Sequence, residues 1–160
     1  MKHLIVEDQH PMFLAFAAKH LGVTYDPATC RTIAHVRQEN DGTYTLLCVV
    51  VANNWTSAGC ELSIASEPGL WATRRFINTV YQTVFGAWGK ERIYMMVEPS
   101  NTAAIAMHER LGHKYEAHLE DWFGRDMPAL LYGLTKRSYD NSKWRRVEGD
   151  NKNELPIMEA

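Results

Sequence analysis

Cysteine is scarce in this chain of 160 residues: there are three, Cys30, Cys48 and Cys60, far apart and with no C-x-x-C pair. An odd, scattered set argues against a disulfide framework and against a structural zinc site, and reduced intracellular thiols are the simpler expectation. Long apolar runs are missing as well. The longest, Leu46–Ala52, falls far short of the ~20 residues that span a bilayer. At the start only Leu4, Ile5 and Val6 stand together before Glu7 and Asp8, whereas a secretory signal needs an apolar stretch of about 7–15. A soluble, cytoplasmic protein with no membrane partner is expected. Positive charge is not in excess either: Lys plus Arg is 17 against 19 Asp plus Glu, a formal net charge of −2. That argues against a general nucleic-acid binder. No repeat and no low-complexity segment is present.

What is there is an ordinary globular balance, 46% apolar and 22% charged. The length suits one domain, able to bury on the order of 70% of its unfolded surface. Along the chain, residues 3–7 predict a strand. Pro11 then suits the first turn of a helix, with Phe13, Phe16, Ala17 and Leu21 on one face and Gly22 as its stop. Residues 30–38 and 43–52 read as strands joined by the turn Asn40, Asp41, Gly42, and residues 59–65 as a further strand. From residue 70 to 88 the period changes. Phe76, Ile77, Val80, Tyr81, Val84 and Trp88 trace one helical face. A strand over 92–97, a helix over 101–111 capped by Asn101 and closed by Gly112, and strands over 114–119 and 127–134 follow. The class is mixed α/β, α+β-like, with an antiparallel front and a central strand–helix–strand crossover. Polarity rises after Lys136, so the domain is expected over 1–137 and a polar extension over 138–160.

One segment narrows this further. Asn101, Ala104, Ile105, Glu109, Arg110, Leu111 and Gly112 match a family pattern in which a strand ends at Asn and a helix ends in Glu-Lys-Leu-Gly-Phe. His113 stands where the Phe is usual. The segment resembles the corresponding end of GNAT-superfamily acyltransferases, and the likeness extends over roughly residues 30–136, best in the last third. It implies the acyl-CoA N-acyltransferase fold, a central mixed sheet of about seven strands flanked by three to four helices. It also implies acetyl-CoA as co-substrate and a primary amine as acceptor, small molecule or protein. No metal is implied. Two central strands would splay so that the pantetheine arm lies along residues 59–65, the thioester carbonyl facing a backbone N–H near Ile64 or Ala65. The pyrophosphate would sit on the loop Ser66–Thr73 at a helix N-terminus, drawing on Ser66, Gly69, Leu70, Trp71, Ala72, Thr73 and Arg74, with Asn101 and Ala104 beside it. The loop departs from the family's Gln/Arg-x-x-Gly-x-Gly/Ala: Trp71 is bulky and Glu67 acidic, while Arg74 and Arg75 offset that charge.

His108 occupies the position of the family's Tyr that protonates the departing thiolate, a task an imidazole near neutral pKa can do; a hydrogen-bonded core histidine beside Ile105 and Leu111 is the plainer alternative. Glu61 lies where some members keep a general base, alternating with Ser63 and Ala65; a solvated strand carboxylate is its plainer alternative. His108, His113 and His118 do not fall on one helical face and so do not predict a metal site. Basic residues between 136 and 146 fit a solvated terminus. Two functions follow. One is an acetyl-CoA-dependent N-acetyltransferase. The other is a GNAT-fold binding or structural protein without catalysis, since the chain is also similar to small GNAT-like internal virion proteins of short-tailed bacteriophages, which would place it in a virion. A homodimer or an assembly partner is compatible with either.

Overall fold

Local signals fix most element ends. In the computed structural model, which describes residues 1–8, 10–69, 71–145 and 157–158, Pro11 opens α1 (Pro11–Leu21) and Gly22 closes it in the left-handed region at φ 66°. Only glycine takes that conformation without a steric cost. The order is β1 (Lys2–Glu7), α1, β2 (Arg31–Gln38), β3 (Tyr44–Asn53), β4 (Gly59–Ser66), α2 (Arg74–Tyr81), β5 (Arg92–Val97), α3 (Thr102–Arg110), β6 (Lys114–Gly124), β7 (Met127–Thr135), α4 (Lys136–Asp140) and β8 (Ile157–Met158). α2 runs on as a π-helical segment, Gln82–Ala87.

All eight strands form one sheet in the order β6-β7-β5-β4-β3-β2-β1-β8. β1 to β4 are an antiparallel meander. β4 and β5 are parallel, as the α2 crossover between them requires. Helices cover both faces. Cys48, Val50, Ala52, Cys60, Leu62, Ile93 and Met95 pack under Phe76, Ile77, Val80 and Val84. Ala34, Val36, Val49, Val51 and Ala65 pack under Phe13, Leu14 and Ala17 of α1. β3 is therefore buried on both sides, which is why its sequence is a continuous apolar run rather than an alternation. Phe76 has no exposed surface, and burying such a ring stabilises the fold by about 1.5–3 kcal/mol.

Three boundaries differ from expectation. The helix after β4 starts at Arg74 rather than residue 70, because the Thr73 side chain accepts the Phe76 N–H and fixes the cap there. β6 continues to Gly124 beyond a break in its register with β7. The domain also runs past residue 137: Tyr139 is buried, its hydroxyl donates to Asn78 Oδ1 over 2.8 Å, and Trp144 packs on the same core. The remainder of the expected extension, apart from β8, lies outside the described residues. β6 is almost wholly exposed at one edge of the sheet, with Trp122, Phe123 and Met127 near its tip. Among the described residues, no helix is long and apolar enough to cross a membrane.

Candidate active site

β4 and β5 pair only at Gly59 with Arg92, Cys60 with Ile93 and Glu61 with Tyr94. Beyond Glu61, β4 stays on β3 as far as Ser66, while β5 stays on β7 as far as Val97. The two central strands thus part and leave a wedge. Gly59 sits where they are closest: a Cβ there would meet the Arg92 carbonyl oxygen at 2.8 Å, so a side chain would push the strands apart. Along residues 62–66 the β4 backbone has no strand partner on the β5 side among the described residues, and an unpaired strand edge is a template for an extended ligand rich in amides. Ile64, Ala65 and Ser66 lie on that edge.

The loop that follows leads into the N-terminus of α2. Gly69 adopts φ 126° with open space where a Cβ would lie. The Glu67 carboxylate is 3.1 Å from His20 Nε2, which places a partner beside its charge. Trp71 is held: its carbonyl accepts from His35 Nδ1 at 2.8 Å, and its ring meets Phe76 edge-on. Ala72 is exposed, and Thr73 spends its side chain on the cap. Arg74 turns toward the C-terminal segment, donating to the Lys143 carbonyl and standing over the Trp144 ring. Leu70 lies outside the described residues. Asn101 caps α3 after the end of β5, its side chain accepting from Ala104 N at 3.1 Å.

Glu61 stands at the vertex of the wedge, on the α1 face with Ser63 and Ala65, as strand alternation requires. Asn54 Nδ2 donates to Glu61 Oε2 over 2.6 Å. The register sets Asn53 and Tyr94 opposite Glu61 on its two sides, and Asn53 Oδ1 is a buried acceptor with no hydrogen-bond partner among the described residues. Burial raises the Tyr25 hydroxyl pKa; its hydrogen bond with Ser63 acts the other way, and the nearby Glu61 charge adds to the rise. Burial raises Tyr94 too, again with Glu61 adding. The vertex is a carboxylate among neutral hydroxyls and an amide oxygen, an environment suited to a cation.

His108 lies in the last turn of α3. It is buried, stacks on Tyr132 with ring centroids 5.6 Å apart, and its Nδ1 lies 2.9 Å from His113 Nδ1. His113 Nε2 in turn lies 2.7 Å from the Tyr81 hydroxyl. Burial lowers the His108 pKa to about 4 and that of His113 to about 3, the neighbouring His108 contributing to the latter. Both rings are neutral at pH 7. So the structure brings Glu61, Ile64, Ala65 and the loop together along one wedge, and buries His108, on α3, against Tyr132 and His113. Tyr25, Asn53, Asn54 and Tyr94 escaped the sequence reading. Period-two alternation and strand pairing bring in Asn53 and Tyr94, whereas Tyr25 sits in a loop that carries no periodic signal. Among the described residues no group of three or more His, Cys, Asp and Glu side chains gathers as a metal site.

A mixed sheet whose two central parallel strands splay, followed by a loop into a crossover helix, is the GNAT acyl-CoA N-acyltransferase fold. Solved structures carry the same likeness. Spermidine/spermine N-acetyltransferase SpeG from Vibrio cholerae, in complex with manganese ions, aligns at TM-score 0.69 and 17% identity over 88% of this chain and 96% of its own. A dodecameric spermidine N-acetyltransferase from Vibrio cholerae, in an intermediate state, gives TM-score 0.67 and 16% identity over 87% of this chain and 96% of its own. A chimera of SpeG from Vibrio cholerae with hSSAT, R149-K152, gives TM-score 0.60 and 20% identity over 71% of this chain and 70% of its own. No protein-family model matches the chain, and no curated protein matches it in sequence.

Proposed function

We propose that this protein is an N-acetyltransferase that moves an acetyl group from acetyl-CoA to a primary amine by direct attack. The observation that carries this is the wedge, with a carboxylate at its vertex and an unpaired strand edge above it. Residues 62–66 offer backbone groups to an amide-bearing arm, and an N–H near Ile64 or Ala65 stabilises negative charge developing on a carbonyl oxygen. Gly69, Trp71, Ala72, Thr73 and Arg74 flank the helix end where a pyrophosphate would lie, with Asn101 and Ala104 across from them. Glu61 holds an incoming ammonium and takes the proton that the amine must lose before its lone pair can attack. His108 is given a packing role, because a buried ring that stays neutral down to about pH 4 is not an imidazolium at neutral pH and is a poor proton donor to a thiolate. Spermidine and spermine are the first acceptors to try, since the similar structures bear those names and the vertex suits a cation.

A second reading, a GNAT-fold binding protein without catalysis, draws on Trp71, whose backbone is tied to His35 in the loop where small residues ease phosphate approach. Thermal unfolding with and without millimolar acetyl-CoA separates the two. A ligand at 100 times its dissociation constant stabilises by ~2.7 kcal/mol, roughly a 5–11 °C rise in midpoint for a domain of this size. Gly69→Glu abolishes that rise by setting an anion against the pyrophosphate. No rise for the unaltered chain rejects the acetyltransferase reading.

A further inference from the structure

At the opposite end of the sheet from the loop 66–73, the starts of β2, β4 and β5 surround an open cleft of about 440 Å³, lined by Thr29, Cys30, Arg31, Trp55, Trp88 and Lys90 among others. Its walls are preset. Trp55 and Trp88 meet edge-to-face with ring centroids 5.4 Å apart. Both indole N–H groups are already spent, that of Trp55 on the carbonyl of the lining residue Thr29 at 2.8 Å and that of Trp88 on Glu7 Oε1 at 3.0 Å. The π-helical turn helps set this corner, because the Trp88 N–H reaches back to the Thr83 carbonyl.

Two permanent cations face these rings. The Arg31 guanidinium carbon lies 5.4 Å from the Trp55 centroid and 5.3 Å from the Trp88 centroid, so one side chain is fixed by both indoles. Lys90 Nζ lies 5.5 Å from the Trp55 centroid and donates to the Thr56 carbonyl. Among the described residues neither cation forms an ion pair with a carboxylate, and no hydrogen bond takes up the Arg31 fork. A planar guanidinium held rigid with its N–H donors unspent matches the two oxygens of a carboxylate or a phosphate. The cleft is larger than such a group alone and falls in the range of small-molecule sites, ~300–1,000 Å³. Trp55 and Trp88 add aromatic surface to this lining, which favours a flat ring.

We propose that this cleft binds a small flat-ring anion, its oxyanion on Arg31 and Lys90 and its ring against Trp55 and Trp88, separate from the acetyl-transfer wedge. The test is calorimetric titration of the full chain with adenosine 5′-monophosphate, salicylate, adenosine and inorganic phosphate. Binding of the monophosphate, of salicylate, or of both supports the site and says whether phosphate or carboxylate is preferred; adenosine lacks the charge and phosphate lacks the ring, so each binds more weakly. Arg31→Lys keeps the charge and loses the fork, and it weakens binding about tenfold or more, as loss of a charged hydrogen bond does. Lys90→Met weakens it independently. Both variants keep the unaltered chain's response to acetyl-CoA, whatever that response is. Absence of binding by both ring anions, affinity unmoved in both variants, or inorganic phosphate binding as tightly as the ring anions overturns the proposal.

Discussion

The buried chain Tyr81–His113–His108 makes stability fall steeply in mild acid. Both rings are neutral in the fold because burial pushes their pKa values to about 4 and about 3, whereas in the unfolded chain each takes a proton near 6.5. The unfolded state therefore binds more protons below pH 6.5, and stability present above that value is lost as pH falls toward the folded pKa values. Between pH 7 and pH 5 the loss is governed by the unfolded value, and it comes to about 2 kcal/mol per ring or ~4 kcal/mol for the pair. That is a large share of a typical 5–15 kcal/mol. Urea unfolding at pH 7, 6 and 5 measures it. His113→Phe leaves the Tyr81 hydroxyl and His108 Nδ1 without partners and costs roughly 1–3 kcal/mol at pH 7. Replacing all three groups together, Tyr81→Phe, His108→Leu and His113→Phe, removes the orphaned polar atoms, recovers most of that loss and flattens the pH dependence by about 4 kcal/mol. A triple variant with the original slope between pH 7 and pH 5 would refute the assignment of neutral buried rings.

Two further outcomes follow from the wedge. Glu61→Gln keeps the shape and the Asn54 contact but removes the charge at the vertex; acetyl transfer to a diamine, followed by CoA release, drops about 10²-fold or more, with little change in melting temperature. Gly59→Ala sets a Cβ against the Arg92 backbone where β4 and β5 are closest, costing about 1–3 kcal/mol in urea unfolding and lowering the acetyl-CoA response with it.

The elements were largely legible in the sequence because their ends carry chemical punctuation: Pro11 and Gly22 around α1, Asn101 and Gly112 around α3; the Thr73 cap of α2 was passed over, because the apolar periodicity alone does not mark where that helix begins. Glu61, Ser63 and Ala65 sharing one face was legible for the same kind of local reason, the two-residue period of a strand. The wedge was not. Parting of β4 from β5 depends on which strand each takes as its other neighbour, β3 and β7, and pairing across such separations leaves no periodic trace. His108 shows the opposite limit. Its motif position points toward catalysis, yet His113, one turn beyond the helix, supplies a polar partner that lets the ring remain in the core.

β6 has a consequence for how copies of this chain meet. A strand of this length with one unpaired edge would ordinarily recruit a strand from a neighbouring molecule and grow into aggregates. Here Lys114, Glu116, His118, Glu120 and Asp121 run along it, and the register breaks before Gly124 with Asp121 at φ 52°. A second copy adding edge to edge would have to strip water from these charges and match a strand that twists away. The border of the sheet is thus insulated against strand addition.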